Sequence, residues 1–598
     1  MPTAEPSGAR QVEPLSRATS ATPGRLGGAD GRAQRLWAWG GIALVLATAL
    51  ALRLWGVKSG LPYIYNIDEA GHFVPKAVAM SSGGLNPRYF VNPPALTYVL
   101  HLAFVVRFGG DHGVLREYAS HPDRVFLVAR VVVALLGTGA VWLLYLLGAR
   151  LFDRWVGLLA AAVEAVAFLP VFYGHFALND AATLLPLTLS LFGSAGILRY
   201  GRKRDYALAG LGLGFACASK YTAGIAIVPL AAAAATHYLD SVDGMPTRPT
   251  SRCVLTGLAV ASGCALGAFL LANPYALLDF QRFHSELVHQ SSLSEEAQGK
   301  LGAPKQGGLL YYLWSFSWGL GWVPALAALG GTVAIWRRDA RIGWLLVPAP
   351  LLFLGFMGLQ DRYFGRWLLP IFPISCLLAA CFARKLVARV GQKRVIALVA
   401  TASMAVLLLG QGVVYSVHGD LVLARADTRN LTRAWMVEHV PEGARIVLEP
   451  VVLGSWLREA EHATGAARWV KYPALKSVIA PNGSLAPQGS HTVALEDYEA
   501  TLSPGLIGWY ERLGYCWVVT GSTQSGRALA NPRAAPLAVA YYRALASQAQ
   551  GAFHVSPYTP GSSAPAFNFD WTFDFYPLAY RHPGPEMTVY RLRGGHCV

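Results

Sequence analysis

Residues 93–108 read Pro-Pro-Ala-Leu-Thr-Tyr-Val-Leu-His-Leu-Ala-Phe-Val-Val-Arg-Phe, and whether this segment crosses a membrane decides the topology of the chain. It is 16 residues long, opens on Pro93-Pro94 and carries His101 and Arg107. A helix needs about 20 apolar residues to cross a hydrocarbon layer ~30 Å thick. Around it lie eleven further apolar runs: 36–57, 124–148, 155–172, 181–198, 205–219, 221–239, 253–273, 309–336, 342–358, 367–383 and 395–415. Of these 205–219 is the shortest.

Loop charge settles the status of 93–108. The loops 149–154, 199–204, 240–252, 337–341 and 384–394 hold 16 Lys and Arg in 41 residues, whereas the alternate loops 58–123, 173–180, 274–308, 359–366 and the turn at Lys220 hold 11 in 118. Basic loops stay in the cytoplasm. The basic tail with Arg25, Arg32 and Arg35 falls on the same side as the basic loops only if 93–108 does not cross. The reading is therefore eleven transmembrane helices in the plasma (inner) membrane, a cytoplasmic N-terminus, and a segment 93–108 that lies on the outer face or dips into it.

Composition agrees. Of 598 residues 54% are apolar and 14% charged, against about a quarter charged in soluble proteins, and the mean hydropathy is +0.37. This excludes a disordered protein, a fibre and an ordinary soluble enzyme. The net charge of +16 needs no nucleic acid when short cytoplasmic loops account for it. The 7 cysteines show no CxxC or Cys/His metal spacing, so no zinc site is expected. Three parts follow: a disordered cytoplasmic tail at 1–35, a transmembrane catalytic domain at 36–415 with a long first outer loop at 58–123, and an extracytoplasmic domain at 416–598, long enough for its own core.

This topology gathers chemistry on the outer face. The first outer loop carries Asp68-Glu69, then Asn86-Pro87-Arg88-Tyr89-Phe90 and Asn92-Pro93-Pro94. The second ends in Asn179-Asp180, the third is the turn Ser219-Lys220-Tyr221-Thr222, the fourth contains Arg282, His284, Glu286 and His289, and the fifth runs Gln360-Asp361-Arg362-Tyr363-Phe364-Gly365-Arg366.

This arrangement resembles the polyprenyl-phosphate-dependent glycosyltransferases of the GT-C superfamily, in particular the protein O-mannosyltransferase and aminoarabinose-transferase group. Five features carry the resemblance: Asp68-Glu69 soon after the first span, the Pro93-Pro-Ala-Leu-Thr-Tyr98 helix, Phe176-Ala-Leu-Asn-Asp180, Ser219-Lys-Tyr-Thr222, and Arg366-Trp-Leu-Leu-Pro370. The run from Asp427-Thr-Arg-Asn to Trp435 and Pro441-Glu-Gly-Ala-Arg-Ile resembles the start of the family's outer domain. The resemblance covers residues 36–598. It implies a GT-C fold and transfer of one sugar from a polyprenyl-phosphate carrier to a protein, lipid or glycan acceptor by inverting displacement. Physical chemistry is consistent: an acceptor hydroxyl needs a carboxylate base, and a departing phosphate needs fixed cations. No GxGxxG opens a βαβ unit.

Each residue has a functional and a bland reading. Asp68 is the candidate base, or an interfacial helix N-cap. Glu69 orients Asp68 or holds a divalent ion, or is a favourable first-turn charge. Asp180 binds acceptor or metal, or sits where a helix N-terminus favours an anion. Lys220 and Arg366 are candidate phosphate partners, or cations snorkelling at span ends. Tyr221, Asn92 and Arg362 complete the expected substrate-binding set. Glu286 and His289, three apart, meet a metal or a sugar hydroxyl, or form a solvated face. No cofactor is demanded, and a divalent cation held by Asp68, Glu69 and Asp180 stays open. In one branch of the family an acidic residue precedes Pro-Pro. Here Val91-Asn92 stand in that place, which weakens a metal site built there. Trp314, Trp318 and Trp322 read as an interfacial belt.

Glu164 and Arg130 lie at similar depths in adjacent spans, which favours a structural ion pair between them over a proton relay. The C-terminal domain reads as α/β, with a helix at 428–439, strands at Arg445–Leu448, Cys516–Thr520 and Met587–Leu592, and a helix at 537–549. Cys516 and Cys597 are both outer, and a disulfide joins them unless they are separate thiols. The rival class is a transporter or lipid flippase, which should show half-repeats and more midplane polarity. A non-catalytic scaffold would have no need of acids at the membrane rim.

Overall fold

The computed structural model describes residues 29–239, 250–295, 307–360, 362, 364–390, 394–452, 454–458, 466–473, 475–479, 485–492, 495–565, 567 and 576–597. The expected disordered tail lies outside these up to residue 28, as do Asp361 and Tyr363. The first part of the chain is helical: α1 (Ala29–Leu54), α2 (Val74–Gly83), α3 (Ala95–Phe108), α4 (Asp111–Ser120), α5 (Pro122–Leu151), α6 (Arg154–Val166), α7 (Phe168–Phe172), α8 (Asn179–Ala182), α9 (Leu184–Tyr200), α10 (Lys203–Ser219), α11 (Ile227–Leu239), α12 (Ser251–Ala272), α13 (Tyr275–Leu278), α14 (Phe280–Glu295), α15 (Gly308–Phe316), α16 (Trp322–Arg338), α17 (Ala340–Leu346), α18 (Pro348–Gly358), α19 (Phe372–Val390) and α20 (Arg394–Leu423).

Among the described residues, 8 helices are long and apolar enough to cross a membrane, and the pair α6–α7, bent by 60°, makes up to 9. The remaining two of the eleven expected spans would be α1, whose apolar part is Trp39–Leu54, and α10 with its 17 residues. The weak apolar character of α10 has a packing reason. A Cβ on Gly210 would lie 2.1 Å from the Ala261 carbonyl oxygen, and one on Gly212 would lie 2.3 Å from the Ser190 nitrogen. Small residues thus let α10 press between α9 and α12, where it needs no bulky lipid-facing side chains. The deciding segment forms α3, 14 residues or ~21 Å long, too short to cross. It packs with α2 and α4 against α5.

Trp318 departs from the expected belt. It is 7% exposed and packs on Phe168 and Trp314, whereas Trp322 is 60% exposed. A π-turn at Ser317–Gly321 rotates Trp318 inward.

Beyond α20 the chain is α/β. It comprises α21 (Thr428–His439), β1 (Arg445–Leu448), β2 (Val470–Lys471), β3 (Leu475–Ile479), β4 (Leu485–Thr492), α22 (Gly505–Arg512), β5 (Trp517–Gly521), α23 (Ser522–Ala530), α24 (Pro536–Gln548), β6 (Gln550–Val555) and β7 (Met587–Arg591). The main sheet has the order β2-β1-β5-β7-β6, with β1 parallel to β2 and β5 and the pairs β5–β7 and β7–β6 antiparallel. Period-two alternation feeds two cores. Val447 and Val518 face Tyr510, Tyr541 and Leu545 of α22 and α24, while Ile446, Leu448 and Val519 face Met436, Trp456 and Trp469. The second core also contains Tyr63 from the loop after α1, so the C-terminal domain grips that loop directly. The Cys516–Cys597 disulfide is present, with a Cα–Cα distance of 5.2 Å, because β5 and β7 are direct antiparallel neighbours.

Candidate active site

The acidic pair Asp68-Glu69 follows a loop anchored on the C-terminal domain. Tyr63 is buried in that domain's core. The Arg429 guanidinium lies 3.6 Å from the Tyr65 ring centroid, and the Tyr65 hydroxyl donates to Asn430. The Asn430 amide donates back to the carbonyls of Gly60 and Leu61 at 3.3 and 3.4 Å.

The two acids then part company. Asn66 Oδ1, not Asp68, caps the turn: it accepts the backbone N–H groups of Asp68 and Glu69 at 3.1 and 3.2 Å. Asp68 makes no capping bond. Its carboxylate instead accepts Arg366 Nη2 at 2.8 Å and lies 3.8 Å from His72 Nε2. Burial lowers the His72 pKa, against the pull of the Asp68 carboxylate.

Glu69 turns the other way. Fully buried, it accepts Arg130 Nε and Nη2 at 2.8 Å each and the Ala177 N–H at 3.0 Å. Arg130 also donates to the carbonyls of Val57 and Ser59 at 2.8 Å. The expected Arg130–Glu164 pair is thereby corrected. Equal depth did not mean equal facing, since Arg130 points from α5 into the loop side. Glu164 instead faces α1, where its neighbouring charge is Arg53. Arg53 donates to the carbonyls of Ala49 and Ala165, at 2.9 and 3.3 Å.

Asp180 and Lys220 meet at the junction of α8 and α10. Lys220 sits in extended conformation where α10 ends and a 3-10 turn, Tyr221–Ala226, begins. Its Nζ donates to Asp180 Oδ1. Asn179 secures the junction by donating to the Ser219 carbonyl at 2.8 Å. Arg366, in the 3-10 turn Gly365–Ile371 before α19, reaches both acids: its Nε lies 3.7 Å from Asp180 Oδ2, while Nη2 bonds Asp68. Asp68, Asp180, Lys220 and Arg366 thus form one four-charge cluster drawn from four distant parts of the chain.

The remaining sequence candidates surround this cluster. Tyr221 donates to the Phe90 carbonyl at 2.8 Å, and Glu286 of α14 accepts the Phe90 N–H and Arg282 Nε, the latter at 2.9 Å. Together they fix the 86–94 loop. Asn92 donates to the Tyr89 hydroxyl at 2.9 Å, and the Tyr89 ring stacks on His72 at 4.7 Å. Arg362 lies over the Phe364 ring at 5.4 Å. His289 is exposed on α14 and does not join the cluster. It shares a helical face with Glu286 but lies beyond the part of α14 that meets the loop.

Among the described residues, no group of three or more His, Cys, Asp or Glu side chains is placed to hold a metal ion. Asp68 and Asp180 share Arg366, Asp180 also meets Lys220, and Glu69 meets Arg130. Sequence reasoning missed His72, although its i,i+4 spacing from Asp68 was a usable signal. It also missed the anchoring roles of Tyr65, Arg429 and Asn430, which no local pattern joins.

The family model described as dolichyl-phosphate-mannose-protein mannosyltransferase matches residues 123–262, a stretch holding Arg130, Asp180 and Lys220. No curated protein matches. Among solved structures, the chain is similar to the archaeal oligosaccharyltransferase AglB from Archaeoglobus fulgidus in complex with an inhibitory peptide and a dolichol-phosphate. That similarity has 13% identity, 90% of this chain and 75% of that one covered, and a TM-score of 0.49. It is also similar to ArnT from Cupriavidus metallidurans in the apo state, at 12% identity, 83% and 95% coverage and a TM-score of 0.47. A third is the S. cerevisiae protein O-mannosyltransferase Pmt1-Pmt2 complex bound to the sugar donor, at 17% identity, 41% and 34% coverage and a TM-score of 0.33. Over residues 123–262 this family-model match bears out the resemblance to the protein O-mannosyltransferase group read from the motifs.

Proposed function

We propose that this protein is a membrane glycosyltransferase that moves one hexosyl or pentosyl unit from a polyprenyl-phosphate carrier to an acceptor hydroxyl. The observation that carries this is the shared Arg366. One guanidinium bridges an acid not used as a helix cap, Asp68, to an acid–lysine pair, Asp180–Lys220. Base and phosphate-binding cations therefore converge. In the reaction the acceptor oxygen bonds to the anomeric carbon and its proton passes to the Asp68 carboxylate. The bond from that carbon to the phosphate oxygen breaks, and its electron pair leaves on the phosphate, which Arg366 and Lys220 hold. Attack opposite the leaving group inverts the anomeric centre.

The loop charges support a reading in which this chemistry lies on the extracytoplasmic side of the plasma membrane and the N-terminus in the cytoplasm. Purified protein should release or transfer radiolabelled sugar from a polyprenyl-phosphate sugar, and folded Asp68→Asn should lose that activity. Full activity in the variant would move the base to Asp180. In spheroplasts an impermeant thiol reagent should label Ser82→Cys and Ser547→Cys and spare Arg204→Cys. Labelling of the last would overturn the orientation.

A further inference from the structure

A cavity of about 200 Å³ lies between the membrane domain and the C-terminal domain, beside the acidic turn. Its floor comes from the α/β sheet. In that sheet β1 and β5 are parallel neighbours, the chain leaving β1 crosses to β2 on one side, and the chain leaving β5 runs through α23 and α24 to β6 and β7 on the other. The carboxyl ends of β1 and β5 therefore form a topological switch point, the crevice where open α/β sheets bind ligands. Val451 follows β1, Thr523 follows β5, and both line the cavity. The opposite wall is the anchored loop, including Tyr65 and Asn66. Asn66 is the residue whose side chain caps the turn bearing Asp68. The place that sheet topology marks for a ligand thus abuts the place where the base is held.

The lining states the chemistry. Tyr65, Phe176 and Tyr576 supply ring faces, and Asn66 and Thr523 supply uncharged hydrogen-bonding groups. Among the described lining residues the charged ones are already matched: Arg429 to Asp427 at 2.8 Å, and Arg130 to Glu69 at 2.8 Å. A matched lining selects a neutral occupant. The volume lies below the roughly 300–1,000 Å³ of sites that take drug-sized ligands, and so suits a single small ring. β1 and β5 are interior strands, so the crevice offers no strand edge to an extended peptide.

We propose that this cavity is the acceptor subsite and that it receives a neutral sugar ring, making the acceptor a glycan. This rests on the transferase reading above. The test uses the full-length protein, a radiolabelled polyprenyl-phosphate sugar, and three acceptor fractions from cell envelopes: delipidated neutral glycan, protein and lipid. Two filling variants, Val451→Phe and Thr523→Phe, are compared with wild type. Their folding is checked by thermal transition, and carrier binding is measured with labelled undecaprenyl phosphate.

Label should enter the glycan fraction. At least one folded filling variant should need tenfold or more glycan for half-saturation while binding the carrier as wild type does. Label entering protein or lipid instead, or folded variants with wild-type glycan half-saturation, would overturn the subsite and leave the transferase standing. Carrier binding without transfer to any fraction or to water would overturn both.

Discussion

Glu69→Gln should damage stability, and Asp68→Asn should damage chemistry, although the two acids are adjacent in sequence. The Glu69 side chain is fully buried, the Arg130 side chain is 2% exposed, and two bonds of 2.8 Å join them. Neutralising Glu69 leaves the buried Arg130 charge with the carbonyls of Val57 and Ser59 and the face of the Phe176 ring. Breaking a buried pair in this way costs about 3–5 kcal/mol. The Asp68 side chain is 35% exposed, so its pair with Arg366 contributes about 1 kcal/mol or less after solvent screening. Loss of a general base costs about 10²–10⁴ in rate.

The assay pairs a thermal transition in detergent, read by tryptophan fluorescence, with sugar release per folded molecule. Glu69→Gln should melt several degrees early and keep substantial turnover while folded. Asp68→Asn should melt near wild type with turnover down at least a hundredfold. If Glu69→Gln melts normally yet is inactive, or Asp68→Asn melts early yet turns over normally, the division of labour derived from the geometry is refuted.

Three further outcomes are expected. Lys220→Ala and Arg366→Ala each remove a charge-assisted contact worth about 1.5–3 kcal/mol, so equilibrium binding of undecaprenyl phosphate should weaken roughly ten- to a hundredfold. In the C-terminal domain, burial pushes the Glu449 carboxyl up to about 8 against hydrogen bonds from the Gly521 N–H and Tyr542 hydroxyl. The folded state therefore holds a proton that the unfolded state releases near 4.5. Stability should fall by up to about 1.4 kcal/mol per pH unit as pH rises from about 4.5 to 8, and calorimetry of Glu449→Gln should show that slope removed. Reduction of Cys516–Cys597 opens a loop of sequence separation 81, for which chain entropy gives roughly 4 kcal/mol. Dithiothreitol should therefore lower the transition of the C-terminal domain in a scan with and without reductant.

Much of the architecture was legible because it depends on properties that are local in sequence. The count of Lys and Arg in the loops separated α3 from the spans. Helical spacing of Thr432, Trp435, Met436 and His439 located α21, and apolar runs located β1, β5 and β7 to within a residue at each end. The short edge strand β6, Gln-Gly-Ala-Phe-His-Val, escaped because an edge with a glycine carries little β pattern. The site was legible as a set of residues but not as a wiring diagram. Depth along a span gives one coordinate, and the partner of Arg130 depends on azimuth, which the sequence does not state. Likewise, neighbouring helical residues point about 100° apart, so Asp68 and Glu69 had to face different elements. Which of them met Arg366 depended on where the C-terminal domain held the preceding loop.

The four-charge cluster has a property that no single residue carries. Asp68 and Asp180 balance Lys220 and Arg366, so the cluster is neutral without substrate. A polyprenyl-phosphate sugar brings one negative charge as a phosphodiester, and the departing monoester carries a second. On the proposed reading, that second charge forms as the acceptor proton neutralises Asp68. The total charge of the site is therefore unchanged through the reaction and moves only from carboxylate to phosphate. Creating a charge in a low-dielectric pocket is costly, whereas shifting one between groups that share a cation is much less so. On the proposed reading Arg366 is that shared cation: it bonds Asp68 at 2.8 Å, and its attraction shifts toward phosphate as Asp68 takes the proton. Lys220 stays paired with Asp180 and holds the ground state. On the same proposal the two cations differ in kinetic role, with Lys220 acting in carrier binding and Arg366 in both binding and the displacement step.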